Sequence, residues 1–74
     1  MNKTIQQTLE DAVVYLIEHK DFKWSDYYEL LNQQTIHYIK EKYNELFTSC
    51  VFGDLQTTIA FLWFCAQFAR QEGV

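Results

Sequence analysis

The hydrophobic residues of this chain recur at helical spacing along three segments, which two short connections separate. In the first segment, apolar side chains return every three or four positions and form one stripe along a predicted helix. The stripe consists of Ile5, Leu9, Ala12, Val13, Leu16 and Ile17. Thr4, followed three residues later by Gln7, has the spacing of a capping box. The pattern predicts a first helix over about residues 4–20.

The second segment follows a short connection over residues 21–24. Ser25 is a predicted N-cap, because its hydroxyl can accept a bond from a backbone N–H that otherwise lacks a partner. Asp26 and Glu29 then fall in the first turn, where acidic side chains are favourable. On a helical wheel, the apolar residues of this segment cover one arc. Those near the start of the segment lie toward one edge of the arc, and those near its end lie toward the other edge. We therefore predict a helix over about residues 25–47 that either bends or splits into two near residues 32–35, or meets different partners along its length.

The third segment contains an apolar run over residues 59–69 and is the most informative part of the chain. With Asp54 as N-cap, it predicts a helix over about residues 54–71. On a helical wheel this helix has two nearly opposite apolar faces. The aliphatic face comprises Leu55, Ile59, Leu62, Ala66 and Ala69, and the aromatic face comprises Phe61, Phe64 and Phe68. Trp63 lies in the polar wedge between them, so its indole is expected to be at most half covered by its own bundle.

These segments indicate an all-α fold, a small three-helix bundle that forms one domain over residues 1–74. The chain has no proline and two glycines, of which only Gly53 is internal, so it has few residues that interrupt helices. A chain of 74 residues has material for one core. Six Phe, five Tyr and two Trp compensate for the small size, because each aromatic ring buries a large area.

Charge and hydropathy exclude several classes of partner. Ten acidic and six basic residues give a net charge of −4, and the basic residues are dispersed, which disfavours direct binding to nucleic acid. No run of apolar residues has the length of a membrane span, and the N-terminus lacks the pattern of a signal peptide. We expect a cytoplasmic protein in which Cys50 and Cys65 remain thiols in apolar surroundings.

The sequence contains no recognisable catalytic or metal-binding motif. Cys50, Cys65, His19 and His37 have neither the C-x-x-C nor the H-x-x-x-H spacing of metal ligands. Cys65 lies in the middle of the apolar run, where a nucleophilic thiolate is disfavoured. There is no glycine-rich phosphate loop. We therefore expect no enzyme activity, no metal, no cofactor and no small-molecule substrate.

The two apolar faces of the third helix allow two interpretations. In the first, the helix lies between the other two helices and buries both faces, with Trp63 folded over an edge. In the second, the aromatic face binds another molecule, because protein interfaces are enriched in aromatic side chains. The second interpretation predicts a protein–protein interaction module that acts as a regulator, adaptor or inhibitor. The predicted contact residues are Phe61, Trp63, Phe64 and Phe68, and the partner is another protein or a second copy of the chain.

An alternative function follows from the acidic residues. A small acidic protein can occupy the nucleic-acid groove of a basic protein, as inhibitors from phages or plasmids do, provided that its carboxylates are spaced like phosphates. One edge of the predicted bundle could present such a set. The set consists of Glu10, Asp11, Glu18, Asp21, Asp26 and Glu29.

Overall fold

The computed structural model describes residues 3–19, 21, 23–51 and 54–74, and over these ranges all regular structure is helical. The helices are α1 (Ile5–Glu18), α2 (Trp24–Leu30), α3 (Gln33–Val51) and α4 (Leu55–Glu72). The predicted all-α class is confirmed. The Cα radius of gyration is 11.2 Å, which is typical of a compact chain of this length. The predicted turn at Gly53 lies outside the described residues.

The start of α1 follows the predicted capping box. The Thr4 hydroxyl accepts a bond from the Gln7 N–H at 3.1 Å, and the Thr4 N–H donates to Gln7 Oε1 at 3.0 Å. The stripe of α1 is buried from Ile5 to Leu16. Ile17 is an exception and is 57% exposed, because it lies about 120° around the helix from Ile5, at the edge of the stripe.

The second predicted helix is split in two, so the described residues form four helices where the sequence pattern predicts three. The break falls at Leu31, whose backbone is extended (φ −100°, ψ 128°). Asn32 then begins α3: its Oδ1 accepts a bond from the Thr35 N–H at 2.7 Å and its carbonyl accepts one from the Ile36 N–H at 3.0 Å. The break therefore lies immediately before residues 32–35, the region in which a bend or split is predicted.

The predicted cap at Ser25 is wrong, because α2 begins before that residue. Lys23 is the N-cap, and it makes no side-chain capping bond. Its carbonyl accepts bonds from the N–H groups of Asp26 and Tyr27 at 3.0 and 3.2 Å. Ser25 is thus already inside the first turn, where a hydroxyl cannot perform the role of the N-cap.

α3 changes direction at Tyr43, where the backbone leaves the helical region (φ −141°, ψ 47°). Its two halves meet different neighbours. Before and at the kink, Tyr38 and Tyr43 contact α4. Beyond it, Phe47 contacts Tyr27 of α2, with ring centroids 6.3 Å apart. The shift of the apolar arc along this segment therefore corresponds to a change of packing partner.

α4 packs most extensively against α1. Asp54 is its N-cap, as predicted, and accepts a bond from the Thr57 N–H at 2.7 Å. At the other end Gly73 has a left-handed conformation (φ 77°), which glycine adopts without a Cβ clash. Among the described residues, no helix combines the length and the hydropathy that crossing a lipid bilayer requires.

Candidate functional site

α4 leaves three large aromatic side chains exposed to solvent. Trp63 is 51% exposed, Phe64 is 50% exposed and Phe68 is 37% exposed. Ala60, one turn before Trp63 and Phe64, is also exposed. Single exposed apolar residues are common, whereas several large ones along one helix indicate a candidate interaction surface. We call Ala60, Trp63, Phe64 and Phe68 the aromatic surface.

Phe61 is the one predicted contact residue that the fold buries. Only 8% of it is exposed, and its ring meets that of Tyr43 edge-on, with centroids 6.1 Å apart. The reason is its position on the helix, about 160° from Trp63 and about 40° from the buried Cys65. Phe61 therefore belongs to the core, and the candidate contact set is reduced to Trp63, Phe64 and Phe68.

Tyr43 supports the aromatic surface from α3. Its ring makes edge-to-face contacts with Phe64 and Phe68, at centroid separations of 5.7 and 5.8 Å. Phe64 and Phe68 also contact each other at 6.0 Å. Rings held in this way lose little conformational entropy when a partner binds. Sequence reasoning gave Tyr43 no such role, because the kink that orients its ring is not visible as a local motif.

The environment of the Tyr43 hydroxyl is apolar and partly anionic. Burial raises the pKa of Tyr43, and the neighbouring Cys65 and Glu72 act in the same direction. Within the described part of the chain, this buried hydroxyl has no hydrogen-bond partner. The ring, rather than the hydroxyl, therefore carries the contribution of Tyr43 to the packing.

Trp63 borders a groove between α1 and α4. The groove has a volume of about 440 Å³ and is lined by Ile17, Gln56, Ile59, Ala60 and Trp63. The groove lies where the last turns of α1 run beside the first turns of α4. The exposed Ile17 of α1 therefore extends the aromatic surface across a second helix. The sequence pattern places Ile17 in the core stripe and therefore misses this extension.

The aromatic surface is electrically neutral although the chain is acidic. Residues 55–69 contain no Asp, Glu, Lys, Arg or His, and the chain as a whole has a net charge of −4. The exposed Gln56 and Gln71 and the partly buried Gln67 are uncharged amides, and Arg70 lies beyond this stretch in the last turn of α4. A partner can therefore cover this surface without desolvating a charge.

The acidic residues of the alternative hypothesis are spread over several elements. Glu10, Asp11 and Glu18 lie on α1, Asp21 lies in the connection, and Asp26 and Glu29 lie on α2. Two of them have local partners. Asp11 forms an ion pair with Lys3, and Glu10 accepts a hydrogen bond from Gln6 Nε2 at 2.9 Å. The carboxylates of Glu18, Asp21 and Glu29 belong to exposed residues.

The chemical groups in the core are enclosed. The side chain of Cys65 is fully buried. Among the residues that the structure describes, no three His, Cys, Asp or Glu side chains are grouped so that they could hold a metal ion. Comparison of the chain with protein-family models, with curated proteins and with solved structures finds no match.

Proposed function

We propose that this chain is a small protein–protein interaction module that acts as a regulator, adaptor or inhibitor by binding through the aromatic surface of α4. The observation that carries the proposal is the half exposure of Trp63 and Phe64 within residues 55–69 of α4, a stretch that contains no charged side chain. Large apolar side chains in such a position are stabilised when a partner removes them from water, at roughly 25 cal/mol for each Å² buried. The proposed activity is binding, without catalysis.

Two further features support the proposal. The contacts of Tyr43 with Phe64 and Phe68 hold the rings in place before binding. Ile17 widens the surface beyond a single helix. Aromatic anchors next to aliphatic side chains are characteristic of the residues that dominate binding energy at interfaces. We propose the cytoplasm as the compartment, which is compatible with the burial of Cys65 in apolar surroundings.

The proposal is tested by affinity capture, in which the wild-type chain and variants of its exposed residues are used to isolate binding proteins. Trp63→Ala and Phe64→Ala are expected to reduce the amount of captured protein at least tenfold, because each removes an anchor from the surface. Tyr28→Ala is the matched control, because Tyr28 is an exposed aromatic residue of α2 (38% exposed). Circular dichroism of each variant shows that the helices remain intact.

The acidic alternative predicts the opposite pattern. If the chain mimics nucleic acid, charge reversal by Glu18→Lys and Asp21→Lys abolishes capture, while the two aromatic substitutions leave it unchanged. Capture would also be lost at about 0.5 M salt, because exposed charges are screened over a few ångströms at that ionic strength. Binding through the aromatic surface changes little at that salt concentration. The acidic pattern would overturn our proposal.

A further inference from the structure

We propose that the partner of the aromatic surface is a second copy of this chain, and that α4 packs antiparallel against α4 of that copy in a symmetric dimer. The inference rests on the proposed binding role of this surface and specifies the occupant. Twofold pairs are the commonest oligomers of soluble proteins, and they require a surface that is complementary to itself. The exposed side of α4 meets that requirement in three respects.

The first is the placement of the aromatic residues along the helix. α4 has 18 residues, and Trp63 and Phe64 are its two central residues. A twofold axis that crosses the helix between them brings Trp63 next to Phe64 of the second copy. The same axis places Ala60 opposite Gln67 and Gln56 opposite Gln71. The small side chain of Ala60 lets the two helices approach closely beside the aromatic pair.

The second is the distribution of charge. An acidic chain repels its own copies wherever carboxylates meet, but residues 55–69 carry no charge. The pairing direction also matters. A parallel arrangement sets Arg70 beside Arg70 of the second copy and aligns the two helix dipoles. The antiparallel arrangement sends the two arginines to opposite ends and opposes the dipoles, which is the favourable orientation.

The third is the available area. A partly exposed Trp and two partly exposed Phe leave roughly 300 Å² of aromatic surface open. Ile17, Ala60 and the glutamines add to it on either side. A patch of this size lies at the lower end of the range for specific interfaces, so we expect a weak dimer that forms at micromolar concentrations. The whole chain exposes 5061 Å², so a second copy would cover this patch while most of the acidic surface remains in water.

Sedimentation equilibrium of the full chain tests the inference from low to high micromolar concentration. We expect the mass to approach twice 8.9 kDa as the concentration rises. Ala60→Glu sets a carboxylate beside the aromatic pair of each copy and is expected to weaken dimerisation at least tenfold, because buried charge is strongly disfavoured at an interface. Ser25→Glu is the matched control, because it adds the same charge at an exposed position of α2, which packs on α1.

A mixture of two variants tests the direction of pairing. In the antiparallel dimer, the carboxylate introduced by Ala60→Glu in one chain faces the ammonium introduced by Gln67→Lys in the other. The Ala60→Glu chain is therefore expected to pair with the Gln67→Lys chain more tightly than with the wild-type chain, by about tenfold or more. In a parallel dimer, position 60 faces position 60 of the second copy, so Gln67→Lys brings no such gain in affinity. Absence of the gain would overturn the antiparallel arrangement.

Different experimental results would contradict the proposed dimer and the proposed binding role. A wild-type chain that keeps its helical circular dichroism but stays at 8.9 kDa at every concentration overturns the dimer. If capture of another protein still depends on Trp63 in that case, the interaction role stands with a different partner. If neither self-association nor capture depends on Trp63, both proposals fail.

Discussion

The hydroxyl of Tyr38 donates a hydrogen bond to Oε2 of Glu72 at 2.8 Å, and this bond joins the first half of α3 to the last residue of α4. Lys42, one turn further along α3, forms an ion pair with Oε1 of the same carboxylate at 3.4 Å. Tyr38 itself is buried, with 9% exposed. The carboxylate of Glu72 therefore anchors the C-terminal end of α4, the helix that carries the aromatic surface.

Removing the hydroxyl group from each of two tyrosines of α3 should change the stability of the protein by different amounts. Tyr38→Phe is expected to lower the free energy of unfolding by about 1–2 kcal/mol, because it removes the charge-assisted hydrogen bond from the buried Tyr38 to Oε2 of Glu72. Tyr43→Phe is expected to be neutral or slightly stabilising, since its buried hydroxyl has no partner within the described part of the chain. Urea denaturation followed by circular dichroism measures both. Equal losses in the two variants would contradict this assignment.

Stability should also decline in alkaline solution through Tyr38. Burial raises the pKa of Tyr38 above its ordinary value of 10.0, and the hydrogen bond to Glu72 and the negative charge of that carboxylate raise it further. Above pH 10 the unfolded chain loses this phenolic proton while the folded chain keeps it. Deprotonation therefore favours the unfolded state, and the stabilisation present below pH 10 is lost as the pH rises.

Denaturation at a series of pH values from neutral to above 10 measures this loss. Tyr38→Phe removes the titrating group, so we expect its free energy of unfolding to fall less steeply with pH than that of the wild-type chain. An unchanged slope in the variant would show that other groups cause the alkaline loss.

Phe61 and Trp63 test the division of α4 into a core side and a binding side. Phe61→Ala is expected to cost about 3–5 kcal/mol, because it opens a cavity next to Tyr43 and Cys65. Trp63→Ala should cost less than Phe61→Ala, since half of the indole is already in water. Chemical denaturation of a dilute sample measures both values. A large loss in Trp63→Ala at low concentration would contradict its placement at the surface.

Asn32 is expected to determine where α2 ends and α3 begins. Asn32→Ala removes the side-chain acceptor of the Thr35 N–H and should cost about 1 kcal/mol. Asn32→Asp keeps an acceptor at the same position and should retain most of the stability. Gln34→Ala is the control, because Gln34 is an exposed residue of the first turn and is not the N-cap. Equal losses in Asn32→Ala and Gln34→Ala would exclude a specific capping role.

Local interactions explain which features could be predicted from the sequence alone. The helical class follows from apolar periodicity and the scarcity of helix-breaking residues. The caps at Thr4 and Asp54 follow from side chains that bond to N–H groups three residues away. The half exposure of Trp63 follows from its place among glutamines on one face of α4. Each of these depends on residues within one or two helical turns.

Only the tertiary structure decided which side chains the neighbouring helices cover. Phe61 and Phe64 both belong to the predicted aromatic face, yet α3 covers Phe61 and leaves Phe64 half exposed. Tyr38 and Glu72 are 34 positions apart, and their hydrogen bond exists only because α3 and α4 pack together. The physical reason is that periodicity assigns a residue to a face, whereas burial at the edge of that face depends on where another helix lies.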